Sequence, residues 1–170
     1  MKIFLVGPSG TGKSTIGKQL ANRLEVDFID TDRVIEKQEG VTIFDYFQKE
    51  GEPKFRTLEA ELTMKLIGNE SLSGVVSTGG GLPCHSNLMN SMLNTGIVIQ
   101  LQLPKEILIS RLKKSYNRPL LQSKLEERVE QQLRERSEFY NLSHLSIDTL
   151  NWNAEKMDVL IESLDQINPV

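Results

Sequence analysis

Cysteine is nearly absent from this 170-residue chain: Cys84 stands alone, so no internal disulfide can form and a reducing compartment is expected. Long apolar runs are missing too. No stretch approaches the ~18 residues of a membrane span. The four apolar residues after Met1-Lys2 stop at Gly7-Pro8, too few for a secretory leader. Neither sign of charge is in excess: 20 Lys and Arg face 23 Asp and Glu, a formal net charge of -3. A weakly acidic chain is not expected to bind nucleic acid or a membrane surface. Repeats, linkers and low-complexity tracts are lacking. Cys84, His85 and His144 are too few, and wrongly spaced, for a zinc site. The expectation that remains is a cytoplasmic chain whose 38% hydrophobic content can build one domain with a proper core.

Two periodicities alternate along it. Short apolar runs at Ile3–Val6, Val26–Ile29, Gly74–Ser77, Ile97–Leu101 and 144–148 predict strands. Helical spacing covers 13–24, 85–93, Pro104 to about Lys114, 124–141 and 154–167. Between 32 and 68 there is no strand pattern. Two or three helices are expected there, broken near Gly40 and Gly51-Glu52-Pro53. Strands separated by helices imply right-handed crossovers, hence an α/β fold with a parallel sheet covered on both faces. The block 32–68 exceeds a minimal crossover and predicts a helical subdomain beside the sheet. Residues 115–122, polar and containing Pro119, predict a loop.

The most specific signal is Gly7-Pro8-Ser9-Gly10-Thr11-Gly12-Lys13-Ser14, which matches G-x-x-x-x-G-K-[ST] between a predicted strand and a predicted helix. Glycines let the backbone wrap a phosphate without Cβ clashes, and successive N–H groups at a helix start then face the anion. Lys13 can reach the β and γ phosphates, and Ser14 can ligate Mg²⁺. Nucleoside triphosphate binding follows.

Many such sites add a metal-binding Asp at the end of a later strand. Here the third and fourth predicted strands end without one. The acids nearest a strand end are Asp30 and Asp32. Ligands of open α/β sheets bind outside the carboxyl ends of strands. One carboxylate can hold a metal-bound water and the other an acceptor hydroxyl; capping of the next helix is the plainer alternative.

Basic residues supply the rest. At about 100° per residue, Leu125, Val129, Leu133, Arg136 and Tyr140 share one face of the helix 124–141. An inward Arg implies an anionic partner, either an internal carboxylate or a bound one. Arg56 and Glu59 are spaced to pair, so that the carboxylate aims the guanidinium at a ligand. Gly79-Gly80-Gly81 ends a strand where something must approach the backbone closely, and a small ligand or a tight turn would account for it. Arg118 sits in the polar loop where a lid residue would reach nucleotide phosphates, and Arg111 could stack on a purine.

Together these residues resemble the shikimate kinase family over nearly the whole chain. The marks are Gly7 to Thr15, Asp30-Thr31-Asp32, Gly51-Glu52 with Phe55-Arg56 and Glu59, Gly79-Gly80-Gly81, Arg118-Pro119-Leu120-Leu121, and Arg136 followed by Tyr140. The resemblance implies a three-layer, nucleoside-monophosphate-kinase-like fold with a five-stranded parallel sheet of order 2-3-1-4-5. It implies one kinase domain over 1–170, with 32–68 as the substrate-binding excursion and about 112–122 as the lid. The implied reaction is transfer of the ATP γ-phosphoryl group to the 3-hydroxyl of shikimate, in aromatic amino-acid biosynthesis. ATP would be held by Gly10, Thr11, Gly12, Lys13, Ser14, Thr15, Arg111 and Arg118. Shikimate would be held by Asp32, Arg56, Gly80 and Arg136. Lys13, Asp32 and Arg118 would be catalytic, and Ser14 and Asp30 would serve Mg²⁺. A monomer binding shikimate and ATP is expected. Two departures stand out: Glu138-Phe139 replaces a frequent Pro-Leu, and Leu150-Asn151-Trp152-Asn153 lacks a frequent proline near the adenine. Two alternatives stay open. A kinase for another carboxylated sugar acid would use the same arginines. A nucleotide-dependent switch is a second, although no Asn-Lys-x-Asp guanine-reading motif occurs.

Overall fold

The structure is a computed structural model and describes residues 1–85, 87–115 and 122–167. Strand β1 (Lys2–Val6) leads to helix α1 (Lys13–Leu24), β2 (Asp27–Asp30), then α2 (Thr31–Glu39), α3 (Ile43–Glu50) and α4 (Glu52–Gly68). Then come β3 (Gly74–Ser77), α5 (Leu88–Thr95), β4 (Ile97–Gln102), α6 (Lys105–Ser115), α7 (Gln122–Tyr140), β5 (Leu145–Asp148) and α8 (Ala154–Asp165). The five strands are parallel in the order β2-β3-β1-β4-β5.

The central strand explains its own sequence. Ile3, Phe4, Leu5 and Val6 are all fully buried, because β1 is covered on both faces and has no polar side. Alternate residues feed two cores. Ile3, Leu5, Val75, Ile97 and Ile99 pack against Ile16 and Leu20 of α1 and Met157 and Leu160 of α8. Phe4, Val6, Val76 and Val98 pack against Ile67 of α4, Met92 of α5 and Tyr140 of α7. Register keeps each layer continuous across the sheet: Phe4 lies opposite Val76 on one side and Val98 on the other. The carboxyl ends of β1, β2 and β3 open on the same edge, where the phosphate motif, Asp30 and the three glycines follow.

The excursion between β2 and β3 contains three helices. Gly40 ends α2 at φ 70, and Gly51 at φ 84 divides α3 from α4. Pro53 then sits in the first turn of α4, where its missing N–H is harmless.

Some expected boundaries shift for local reasons. β2 starts at Asp27 instead of Val26, because the Val26 N–H bonds the Ala21 carbonyl at the end of α1. The helix expected over 85–93 is a short 3₁₀ turn, Leu82–Cys84, followed by α5 from Leu88. Asn87 takes φ 56, a left-handed value that starts a helix but cannot lie inside one. α7 covers Gln122–Tyr140 instead of 124–141, and α8 stops at Asp165. Of the loop expected over 115–122, residue 115 closes α6 and 122 opens α7; 116–121, including Arg118, lie outside the described residues. Among the described residues no helix is long and apolar enough to cross a membrane.

Candidate active site

The phosphate motif forms a loop between β1 and α1. Gly12 caps α1 at φ 96, a conformation that a Cβ would strain. Ser14 and the exposed Thr15 stand in the first turn of α1. The loop is braced from several sides. The Thr11 hydroxyl donates to the Pro8 carbonyl at 2.9 Å. The buried Thr149 hydroxyl sits between the carbonyls of Thr11 and Gln102, at 3.0 and 2.9 Å. Arg111 Nη1 donates to the Gly10 carbonyl at 3.0 Å. Lys13 Nζ donates to the carbonyls of Gly7 and Pro8 at 2.7 and 2.9 Å. Burial lowers the Lys13 ammonium from its usual value to about 8, against the pull of Asp32 and Asp30.

Asp30 takes the capping role considered for it. One carboxylate oxygen accepts the Arg33 N–H at 3.3 Å and caps α2; the other accepts the Ser14 hydroxyl at 2.5 Å. Asp32 lies in the first turn of α2 and is half-buried. Burial, with Asp30 nearby, raises its carboxyl above the usual value, although Lys13 opposes. The metal fit can be judged from these donors. A hydroxyl beside a carboxylate oxygen, next to a phosphate loop, is the hard-oxygen set that Mg²⁺ takes while keeping water and phosphate ligands. Among the described residues no group of three or more His, Cys, Asp or Glu forms a protein-only metal cage.

The acceptor side is built on α4. Arg56 bonds Glu59 one turn on and Glu52 one turn back, the latter at 2.7 Å. Its guanidinium lies 5.4 Å from the Phe55 ring, which meets Phe47 edge-on at 4.7 Å. Glu59 is almost wholly buried, and its Oε1 has no hydrogen-bond partner. Burial pushes the Glu59 carboxyl up to about 7, even with Arg56 against it. Arg136 faces the same space from α7. Its charge acts on Lys13, Glu59 and Glu52 together. Among the described residues it has no carboxylate within ion-pair distance, so the internal partner considered for it is not found there. Lys124, Arg128 and Arg134 lie on the exposed face of α7.

The three glycines make room for the protein's own side chains. A Cβ on Gly79 would overlap Glu59 Oε1 and lie 2.9 Å from Asp32 Oδ1. One on Gly81 would lie 2.9 Å from three atoms of the Arg56 guanidinium. One on Gly80 would lie 3.2 Å from the Ser9 nitrogen of the phosphate loop. The close approach inferred at this site is therefore that of two carboxylates, an arginine and a loop, whereas the sequence suggested a ligand or a turn. Ser9, Glu52, Thr31 and Thr149 escaped the sequence reading as site residues. Thr31 is buried, and its hydroxyl accepts the Gly79 N–H at 3.2 Å. Ser9, Thr31 and Glu52 lie inside the quoted motifs without a role of their own there, and Thr149 lies outside them; only the fold gives these four their contacts. A cavity of about 430 Å³ adjoins the phosphate loop at Pro8, between the end of β4 and α7, and is lined by none of these charged residues.

Comparison with known proteins points to one family. A family model described as shikimate kinase matches residues 9–165. A shikimate kinase of Sulfurihydrogenibium sp. (strain YO3AOP1) is 42% identical over 154 residues, covering 91% of this chain and 88% of that protein. One from Halorhodospira halophila is 43% identical over 161 residues, covering 92% and 88%. The crystal structure of shikimate kinase from Aquifex aeolicus superposes with a TM-score of 0.84 at 34% identity, over 97% of this chain and 96% of that one. The Acinetobacter baumannii enzyme in complex with shikimate gives 0.81 at 35% identity, over 97% and 91%.

Proposed function

The chain belongs to the shikimate kinase family, and from that premise we propose how its cleft transfers the ATP γ-phosphoryl group to the 3-hydroxyl of shikimate. The products are shikimate 3-phosphate and ADP, and the step belongs to chorismate and aromatic amino-acid biosynthesis. The observation that carries the reading is the convergence of Arg56 and Asp32 on Gly79–Gly81, with Arg136 beside Ser9 of the phosphate loop and its charge acting on Glu59 and Lys13.

Phosphoryl transfer needs positioning and charge neutralisation more than covalent chemistry. The loop N–H groups from Gly10 to Ser14, with Thr15 at the start of α1, cradle the triphosphate. Lys13 leaves the Gly7 and Pro8 carbonyls for the β and γ phosphates, and Arg111 lies beside the nucleotide. Ser14 and Asp30 would be the residues that hold Mg²⁺. When bound, the ion neutralises charge on the β and γ phosphates. Arg118 takes the lid role that the resemblance assigns it.

On the acceptor side, Arg56 and Arg136 grip the carboxylate from two elements, and the Gly80 N–H adds a third contact. Asp32 bonds the hydroxyls. Its raised pKa makes it a stronger base, suited to receive the 3-hydroxyl proton as the bond to phosphorus forms. Glu59 and Glu52 hold Arg56 from behind. The working unit is one kinase domain, with α2–α4 as its acceptor-binding excursion. It acts as a monomer, since one chain supplies every proposed contact, and in the cytoplasm, where a lone thiol is stable.

An assay coupled to ADP release tests this, with shikimate or gluconate as acceptor and ATP or GTP as donor. ADP release that requires shikimate and ATP is expected. Release without any acceptor, or equal release with gluconate, would overturn the reading.

A further inference from the structure

Tyr140 heads the largest fully buried side chains of the protein. A buried phenol needs a partner for its hydroxyl. That partner lies 60 residues away: the Tyr140 hydroxyl donates to the main-chain carbonyl of Gly80. Arg136 sits one turn earlier on α7, and its positive charge acts on the same phenol, against the effect of burial. Both side chains, with Pro8 and Ser9 of the phosphate loop, wall a single void of about 20 Å³. Burial pushes the phenol up to about 12, so the group remains an O–H donor throughout the neutral range.

We propose that Tyr140 is a positioning residue for the acceptor: its hydroxyl ties the Gly80 peptide to α7 and so sets the glycine segment at a fixed distance from Arg136. This deepens the functional reading above and rests on it. Three successive glycines have more backbone freedom than any other segment of this length. The two outer glycines have their own bonds, Gly79 through Thr31 and Leu82 and Gly81 through Cys84, and the Gly80 carbonyl between them is the one that Tyr140 holds. An anchor at the middle carbonyl removes that freedom where both neighbours benefit. It also joins the two sides of the clamp, since Arg56 packs on the glycines and Arg136 extends from the helix that holds them.

Tyr140→Phe tests the idea, because it keeps the ring in the core and deletes only the hydroxyl. Kinetics of the full chain should show the shikimate KM raised about tenfold, the worth of one hydrogen bond near a charge. The kcat and the ATP KM should stay within about twofold. With an acceptor whose carboxylate is replaced by a carboxamide, the penalty should shrink to about twofold or less, because the Arg136 grip is then already lost. A lowered melting temperature with an unchanged shikimate KM would overturn the proposal, since the hydroxyl would then serve stability alone. Equal rises in both KM values, or an equal penalty with the carboxamide, would overturn it as well. Failure of the unmodified enzyme to phosphorylate shikimate would sink the functional reading itself, and this inference with it, before the variant is compared.

Discussion

Glu59→Gln should change how stability depends on pH. The Glu59 side chain is only 2% exposed, with one oxygen on Arg56 and the other unpartnered. Burial lifts its pKa from the ordinary 4.5 to about 7. That gap is worth about 3 kcal/mol. The sign follows from proton binding. Between pH 4.5 and 7 the folded chain holds a proton at Glu59 that the unfolded chain has released. The contribution is therefore complete below the unfolded pKa and is lost as pH rises through 7. The glutamine variant cannot titrate there. Urea unfolding at several values between about pH 5 and 8 should show the wild type losing stability relative to Glu59→Gln, by up to about 3 kcal/mol across the window. Parallel curves would refute the reasoning: Arg56 would then outweigh burial and hold Glu59 ionised throughout. The same variant should raise the shikimate KM about tenfold at pH 8, because Arg56 would keep only the exposed Glu52 as a carboxylate partner.

Other substitutions probe separate parts of the cleft. Arg136→Ala should raise the shikimate KM about 100-fold and leave the ATP KM nearly unchanged, as steady-state kinetics will show. Lys13→Met should lower kcat at least about 1000-fold without lowering the melting temperature, since its buried ammonium bonds only loop carbonyls. Thr149→Val should raise the ATP KM and cost about 1–2 kcal/mol in urea unfolding, because it frees the loop carbonyl of Thr11. Ser14→Ala should raise the Mg²⁺ concentration needed for half-maximal rate, measured by titrating the metal at fixed ATP.

Much of the architecture was legible because local signals agreed. The apolar run Ile3–Val6, then glycines, then Lys13-Ser14, specifies strand, loop and helix by rules that act within a few residues. Boundaries failed where a tertiary or capping bond intervened, as at Val26 and Asn87. The helical face of α7 could be computed, so Arg136 was found facing inward although it is far in sequence from Arg56. The three glycines were recognised as a close approach, but the approaching groups were not. Spacing says that a Cβ is missing; it does not say which side chains fill its place.

The sequence alone determined the phosphate loop, the parallel α/β fold, the pairing of Arg56 with Glu59 and the family. Each depends on contacts within a helical turn, on periodicity, or on the ordered set of motifs along the whole chain. Tertiary structure alone decided that Glu59 and Asp32 share the space over Gly79, that Thr149 braces the loop, and that Tyr140 holds Gly80. Those contacts join residues 20 to 138 positions apart in the chain (Glu59 to Gly79, Thr11 to Thr149). No local rule spans such distances: they are fixed only when the sheet order brings the carboxyl ends of separate strands to one edge, where buried polar groups must find each other.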